Sequence, residues 1–122
     1  MNRVHLACIG LGGRGTGLAN LVASMEDVRV AAVCDVYSDR VEQAIDHISE
    51  AHNYRPEGYT DHSDVLSRDD LDGVIVATSW TTHVEISLAA MQAGLYVGSE
   101  VGGASSIQEC WELVRTSEEL SL

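Results

Sequence analysis

A glycine-rich hexapeptide near the N-terminus is the first part of the sequence whose residue types suit a chemical task. It reads Gly10-Leu11-Gly12-Gly13-Arg14-Gly15 and fits the pattern G-x-G-x-x-G. The pattern lies between an apolar run typical of a strand and a segment of helical period, which is the context in which it binds a diphosphate. Gly10 permits a tight turn, Gly12 lets the backbone approach the diphosphate, and Gly15 lets helix and sheet pack closely. Arg14 either adds a charge contact to that anion or is an exposed first-turn arginine.

A carboxylate with a matching task, Asp35, ends the second apolar run. It follows Gly15 by about 20 residues, where an acidic side chain accepts hydrogen bonds from the hydroxyl groups of an adenosine ribose. The same carboxylate repels a 2′-phosphate, so the sequence predicts NAD as the cofactor, with NADP less favoured. Arg40 lies nearby, and a nearby arginine is how some domains accept NADP. We expect Arg40 to lie on the solvent side of its helix.

The elements that must position these residues alternate between strands and helices. Apolar runs predict strands at 4–9, 28–34, 59–61, 73–78 and 95–99. In the first helix, the expected buried face consists of Leu18, Leu21, Val22 and Met25, and in the second of Val41, Ala44, Ile45 and Ile48. The later helices are expected to begin at two capping boxes, Thr82-x-x-Glu85 and Ser106-x-x-Glu109, and the second helix at a cap formed by Ser38.

Strands that are apolar on both faces, separated by amphipathic helices, predict an α/β fold. The expected architecture is a Rossmann-type doubly wound parallel sheet that forms one domain over residues 1–122. The sequence runs out after its fifth helix, before another strand begins. We therefore expect a truncated fold, the N-terminal part of a longer two-domain protein whose substrate domain is absent.

Composition excludes several classes of function. The 122 residues include 19 acidic and 7 basic side chains, a net charge of −12 that disfavours nucleic acids and anionic membranes. Cys8, Cys34 and Cys110 form no C-x-x-C pair, so no metal or redox site is expected. The apolar stretch at the N-terminus is too short to span a membrane and lacks the cleavage region of a signal peptide. A cytoplasmic location is expected.

With these residues in view, the chain resembles the NAD(P)-binding domain of the glucose-fructose oxidoreductase/inositol dehydrogenase (Gfo/Idh/MocA) family. The resemblance rests on the glycine pattern, on Val33-Cys34-Asp35 and on Val76-Ala77-Thr78-Ser79-Trp80-Thr81-Thr82-His83. It implies that Thr78, Trp80 and His83 lie near the nicotinamide ribose, with Ser79 in place of the family's usual proline. His83 is alternatively a buried or helix-start histidine. The resemblance also implies cofactor contacts at Glu100 and Val101, although most members carry Glu-Lys-Pro at this station.

Valine at position 101 departs from the family in a chemically important way. The family's lysine assists proton movement from a substrate hydroxyl, and valine has no proton to move. Together with Gly13-Arg14-Gly15 and Trp80, the Glu100-Val101 pair looks like a subgroup of NAD-dependent glycosidases similar to α-N-acetylgalactosaminidases. In such enzymes NAD transiently oxidises a sugar hydroxyl, the glycosidic bond is eliminated, water adds, and the hydride returns. The resemblance places the catalytic acid and base in the second domain, so we expect no catalytic residue in this chain.

Three functions remain open on these grounds. The first is the NAD-binding part of an enzyme that acts on a sugar or cyclitol, either an oxidoreductase or its glycosidase relative. The second is a non-catalytic NAD-binding module, which the missing lysine favours. The third, a methyltransferase that binds S-adenosylmethionine, fits less well because a three-glycine turn favours a diphosphate. A homo-oligomer is also expected, since the last helix carries an apolar face formed by Ile107, Cys110, Trp111 and Val114.

Overall fold

Five parallel strands in the order β3-β2-β1-β4-β5 form the sheet on which the rest of the chain is built. A computed structural model describes residues 3–102 and 104–122. The elements are β1 (Val4–Ile9), α1 (Gly13–Ala23), β2 (Val28–Cys34), α2 (Ser38–His52), β3 (Glu57–Tyr59), α3 (His62–Leu66), β4 (Gly73–Val76), α4 (His83–Gln92), β5 (Tyr96–Ser99) and α5 (Ile107–Leu120). This strand order is that of the Rossmann fold, which confirms the predicted class.

Helices cover both faces of the sheet and create two separate cores. On one face α1 and α2 pack over the sheet through a cluster that includes Ala19, Val41 and Ile48. On the other face α3 and α4 contribute Val65, Ile86 and Ala90. The central strand β1 supplies side chains to both clusters, since alternate residues of a strand point to opposite faces. Both faces of the sheet are therefore buried, as expected of a parallel sheet.

The buried face of α1 differs from the predicted one. Small residues face the sheet, namely Gly15, Ala19 and Ala23. Leu21 and Met25 are exposed instead, so the prediction of an apolar face on these residues was wrong. The cause is the close approach at the start of the helix, where a Cβ on Gly15 would overlap the carbonyl oxygen of Gly10. Backbone contact at this point fixes the rotation of the helix, and the larger side chains are turned away from the core.

Two strand boundaries also differ from the prediction. The edge strand β3 covers Glu57–Tyr59 and lies two residues earlier than expected, because its register with β2 pairs Ala32 with Glu57 and Cys34 with Tyr59. Gly58 fits here because Val41 and Ile45 of α2 occupy the space a Cβ would need. β4 ends at Val76, two residues before the predicted end. The residues that follow β3 and β4 therefore lie in loops at the edge of the sheet.

The helix caps confirm one of three predictions. Ser106 accepts a hydrogen bond from the backbone N–H of Glu109 (3.1 Å), as its capping box predicts. Thr82 precedes α4 but forms no side-chain cap, because its backbone is already helical and its hydroxyl group bonds to the Thr78 hydroxyl (2.8 Å). Ser38 is the first helical residue of α2 rather than its cap.

The last helix, α5, buries none of its residues. Its apolar face is exposed, with Ile107, Trp111 and Val114 each more than half accessible. The helix packs mainly against α4.

Candidate functional site

A cleft of about 880 Å³ opens at the carboxyl ends of the strands. Its wall is formed by the glycine turn after β1, by residues 34–37 after β2, by residues 60–62 after β3 and by the loop after β4. In a doubly wound sheet, crossovers that leave β1 in opposite directions create such a crevice, and ligands bind there. The cleft brings together the glycine pattern, Asp35 and Thr78, as the sequence predicts.

The glycine turn has no room for side chains at two points. Gly10 has φ +96°, and a Cβ there would lie 2.5 Å from the carbonyl oxygen of Ala77. Gly15 likewise touches the turn from inside the helix, next to the carbonyl oxygen of Gly10. The turn is therefore held between the start of α1 and the end of β4. The tight turn predicted at Gly10 and the close packing predicted at Gly15 are both present, whereas their contact with a cofactor stays a prediction.

The start of α1 offers open backbone to the cleft. Gly12 is the N-cap residue and supplies no side-chain acceptor, and Gly13 has open space where a Cβ would stand. The first amides of a helix have no acceptor within the helix, so their N–H groups remain available to a ligand. Thr16 fixes the turn from below, because its hydroxyl group donates to the carbonyl oxygen of Leu11 (2.9 Å). This geometry suits an anionic group held by backbone N–H groups.

Asp35 is part of the turn as well as of the cleft. The residue is 8% exposed, and its Oδ2 accepts the backbone N–H of Leu11 (2.8 Å) while its Oδ1 accepts that of Tyr37 (2.9 Å). A carboxylate oxygen has two acceptor positions, so each oxygen retains one for a ligand hydroxyl group. Asp35 is thus fixed in position before any ligand arrives. The side chain of Leu11 packs into the core, and a contact between Leu11 and a cofactor stays a prediction.

Arg40 is exposed, as expected, but it lies on the side of α2 that lines the cleft. Its Nη1 lies 3.7 Å from Oδ2 of Asp35, and its guanidinium group stands 4.8 Å from the centre of the Tyr37 ring. The buried negative charge and the aromatic face attract the arginine across the mouth of the cleft. A positive charge therefore accompanies the carboxylate predicted to select the cofactor.

The loop after β4 is organised by His83. The imidazole is buried, with Nε2 2.7 Å from the carbonyl oxygen of Thr78 and Nδ1 3.5 Å from the hydroxyl group of Ser99. A carbonyl oxygen only accepts, so Nε2 carries the hydrogen. His83 thereby links the end of β4 to the end of β5. Thr78 lines the cleft, whereas His83 lies behind it.

Glu100, Val101 and Trp80 lie at the far end of the sheet edge. Glu100 follows β5, and its Oε2 accepts from Nε of Arg14 (3.0 Å). The backbone N–H of Val101 and the Arg14 side chain hold the pKa of Glu100 below its usual range. Val101 is 83% exposed, and the Trp80 ring covers Gly102 so closely that a Cβ there would stand 2.7 Å from it. These residues form a rim beside the cleft, and their contact with a cofactor stays a prediction.

The family of the chain is shown by a match over nearly its whole length. Residues 4–122 match the family model described as "Oxidoreductase family, NAD-binding Rossmann fold", that of Gfo/Idh/MocA proteins. The chain belongs to this family. It is the NAD-binding domain of an oxidoreductase-family protein, which confirms the resemblance found in the sequence.

Sequence relatives of this Gfo/Idh/MocA domain carry a more specific name. A "Glycosyl hydrolase family 109 protein" of Shewanella baltica is 35% identical over 97% of this chain. A protein of the same name from Streptomyces coelicolor is 40% identical over 94%. The chain spans 27% and 25% of the lengths of these two relatives.

Solved structures share the fold of this Gfo/Idh/MocA domain at low sequence identity. A scyllo-inositol dehydrogenase from Lactobacillus casei, solved with NAD(H) and scyllo-inositol, superposes with a TM-score of 0.89 at 19% identity, covering 98% of this chain and 34% of its own. A 3-ketoreductase from Actinomadura kijaniata, solved with NADP, gives 0.88 at 20% identity, covering 99% and 37%. These similarities show the fold.

Several residues of the cleft in this Gfo/Idh/MocA domain escaped the sequence analysis. Tyr37, Asp61 and His62 line it beside Asp35. They follow the ends of β2 and β3, and carboxyl ends of parallel strands meet at one edge, so a correct end for β3 would have indicated Asp61 and His62. In the part of the chain that the structure describes, no cluster of three or more His, Cys, Asp or Glu side chains is placed to hold a metal ion. No helix among the described residues has the length and apolar character needed to cross a bilayer.

Proposed function

We propose that the cleft holds NAD in an extended arrangement along the edge of the sheet. The diphosphate lies against the backbone from Gly12 to Gly15, and the adenosine ribose donates its hydroxyl groups to Asp35. The nicotinamide end then lies toward Thr78 and the rim formed by Trp80, Glu100 and Val101, with His83 holding Thr78 in place from behind. The observation that carries this proposal is the carboxylate of Asp35, which is buried and fixed by two backbone N–H groups beside a turn that admits no side chain at Gly10.

The residues of this chain bind and position the cofactor. NAD supplies the ability to accept a hydride from a substrate carbon. The open start of α1 stabilises the diphosphate through its backbone N–H groups, while the Arg14–Glu100 ion pair joins the turn to the rim. Glu100 accepts two hydrogen bonds that lower its pKa, so it is ionised at neutral pH and serves as an acceptor rather than as a proton donor. We propose no catalytic acid or base among these residues.

We further propose that the enzyme acts on a sugar or cyclitol, and two chemistries are in view. A dehydrogenase would leave the substrate oxidised, whereas a glycosidase of the redox-cycling type would return the hydride. Val101, which bears no ionisable group, and relatives named as glycosyl hydrolases favour the glycosidase. A non-catalytic NAD-binding module is the alternative outcome. A cytoplasmic location and assembly into a homo-oligomer complete the proposal, the second supported by the exposed face of α5.

Calorimetric titration tests the cofactor proposal. NAD is expected to bind the chain more tightly than NADP, and Asp35→Ala is expected to weaken NAD binding about tenfold or more, since one charge-assisted hydrogen bond is worth about 1.5–3 kcal/mol. Asp35→Asn removes the charge but keeps one of the two acceptor oxygens that hold the turn, so it should perturb the loop less than Asp35→Ala does. Asp46→Ala on the outer face of α2 is the matched control and should leave binding unchanged. Equal or tighter binding of NADP would contradict the assignment.

The substrate proposal has its own test, in an enzyme that contains this domain. Removal of bound nucleotide should abolish release of p-nitrophenol from a p-nitrophenyl α-N-acetylgalactosaminide, and added NAD should restore it without net formation of NADH. Stoichiometric NADH with a free sugar would support the dehydrogenase instead. If the protein binds NAD but shows neither reaction, the non-catalytic module is the function that remains.

A further inference from the structure

The cleft continues past Asp35 to the carboxyl end of β3, where it is lined by residues with no role in the proposed NAD site. These residues are Thr60, Asp61 and His62. Tyr59, the last residue of β3, is held beside Asp35, because the backbone N–H of Asp35 donates to its carbonyl oxygen (3.2 Å). Asp61 therefore lies only two residues beyond the point at which β3 contacts Asp35.

The loop that carries Asp61 is fixed on both sides of this residue. Oδ1 of Asp61 accepts the backbone N–H of Ser63 (2.9 Å). On the other side, the hydroxyl group of Tyr59 accepts from Nη1 of Arg68 (3.0 Å), and the Arg68 guanidinium group is itself held by both carboxylate oxygens of Asp70 (2.8 and 2.6 Å). Among the residues that the structure describes, Oδ2 of Asp61 has no hydrogen-bond partner. Asp61 thus presents one unengaged carboxylate oxygen from a fixed loop.

The charges at this end of the cleft favour ligand groups that donate hydrogen bonds. Hydrogen bonds from Ser63 hold the pKa of Asp61 below its usual range, so the carboxylate is ionised at neutral pH and only accepts hydrogen bonds. Burial, followed by the charges of Asp35, Asp61 and Asp64, raises the pKa of Cys34 in the same wall to about 12. The negative potential therefore reaches the wall of the cleft, and it disfavours a ligand oxygen placed beside Asp61.

The order of the strands determines where the base of a bound dinucleotide lies. The glycine turn that faces the diphosphate follows β1, Asp35 follows β2, and β3 lies on the side of β2 that is remote from β1. The base is attached to the ribose on the side opposite the carbon that bears the diphosphate. It therefore lies over the carboxyl ends of β2 and β3, where Val36, 77% exposed, offers apolar surface to a flat ring.

We propose that Asp61 recognises the adenine base by accepting a hydrogen bond from its amino group. The proposal rests on NAD binding in the orientation given above. The amino group lies at the edge of the base remote from the ribose, whereas hypoxanthine has a carbonyl oxygen in the same place and an N–H only at the neighbouring ring position. A carboxylate attracts the amino group through a charge-assisted hydrogen bond and repels the carbonyl oxygen. Asp35 and the glycine turn cannot make this choice, because they face groups that both dinucleotides share.

Calorimetric titration of NAD and of nicotinamide hypoxanthine dinucleotide tests this proposal. The unaltered chain should bind NAD about tenfold or more tightly, the difference that one hydrogen bond to a charged group makes. Asp61→Asn should reduce the ratio of the two dissociation constants to less than about threefold, because its amide N–H can donate to the hypoxanthine oxygen. Asparagine caps helices as well as aspartate does, so α3 should be retained. Asp64→Asn, which removes the same charge from a residue of α3 outside the cleft wall, is the matched control and should keep the ratio.

Each result has a defined meaning. Equal binding of the two dinucleotides by the unaltered chain overturns the proposal, and so does a ratio that Asp61→Asn leaves unchanged. A ratio that is lost in Asp64→Asn as well would assign the selectivity to overall charge and would also overturn it. If Asp61→Asn does not fold, as circular dichroism would reveal, Asp61→Ser decides, because serine also caps helices and its hydroxyl group carries no charge to repel the carbonyl oxygen. Failure of the unaltered chain to bind NAD would instead refute the proposed NAD site.

Discussion

Nε of Arg14 and Oε2 of Glu100 lie 3.0 Å apart, and they join the first turn of α1 to the loop that follows β5. The two residues come from opposite ends of the sequence and meet at the carboxyl edge of the sheet. Arg14 is mostly exposed and Glu100 less so, which limits the strength of the pair in solvent. Its significance lies in geometry, because it connects the glycine turn with the rim of the cleft.

Removal of this contact should raise the pKa of Glu100. The Val101 N–H and the Arg14 guanidinium group both lower that pKa, so the carboxylate contributes stability above its ordinary pKa, and this stability is lost as the pH falls through the lowered value. Arg14→Gln removes one of the two causes and should move the pKa upward. Carboxyl-carbon NMR titration measures it, with Arg55→Gln as control. An unchanged pKa would show that the pair does not form in solution.

Two glycines of α1 should respond oppositely to alanine. A Cβ on Gly15 would overlap the Gly10 carbonyl oxygen, whereas Gly17 has open space around it. Gly15→Ala should therefore lower the free energy of unfolding by about 1–3 kcal/mol, the usual cost of overpacking. Gly17→Ala should raise it by about 0.5–1 kcal/mol, because alanine loses less conformational entropy in a helix. Urea unfolding measures both. A stabilised Gly15→Ala variant would refute the close approach of turn and helix.

The three thiols should differ in reactivity toward iodoacetamide. Burial raises the pKa of Cys8 to about 12. Burial, followed by the charges of Asp35, Asp61 and Asp64, raises that of Cys34 to about 12. Both remain thiols at pH 8, whereas Cys110 is exposed on α5. Mass spectrometry should find Cys110 alone modified in the native chain and all three modified in urea. Modification of Cys34 in the folded chain would contradict its burial at the wall of the cleft.

The exposed face of α5 should cause self-association. Ile107, Trp111 and Val114 form a contiguous apolar surface, and such surfaces associate in water. Trp111→Gln should shift the chain toward monomer in light scattering. Leu21→Gln is a matched control, since Leu21 is 57% exposed against 61% for Trp111 but lies on α1. A monomeric unaltered chain, or dissociation by the Leu21 variant alone, would speak against this surface.

The chain alone should not turn over sugars. Hydride transfer requires a substrate carbon within about 3–3.5 Å of the nicotinamide in an aligned geometry. At the rim of the cleft, Trp80 and Val101 are exposed, and no opposing wall stands over them within the described residues. Sugars added with NAD should therefore give no NADH absorbance. Measurable turnover would show that these residues suffice for an active site.

Local patterns allowed the fold class and the centre of the site to be predicted. The alternation of apolar runs and helical periods requires only short stretches of sequence, and it yields a parallel sheet with helices on both faces. Gly10, Gly15 and Asp35 are recognisable because their task depends on spacing along one βαβ unit. These residues can be predicted because they follow the carboxyl ends of parallel strands, and those ends meet at one edge of the sheet.

Features that depend on tertiary contact could not be predicted in this way. Hydrophobicity assigns Leu21 to the core of α1, but the backbone contact at Gly15 decides the rotation of the helix. The sequence predicts that Arg40 faces solvent, because it does not show that the Tyr37 ring and the Asp35 charge lie beside the guanidinium group and hold it at the cleft. Thr82 resembles a cap, yet its hydroxyl group finds a nearer partner in Thr78. In each case a neighbour that is absent from the local pattern determines the outcome.

The central position of β1 has a consequence for the order in which the fold can form. Leu6 pairs with Val30 on one side and with Gly73 on the other. The first partner comes from the next strand in the sequence, whereas the second arrives only after α2, β3 and α3 have been synthesised. Contacts between residues so distant in sequence slow folding, since the intervening chain must lose its freedom before they form. The first strand to be synthesised is therefore enclosed only when β4 pairs with it, after β3 has already enclosed β2.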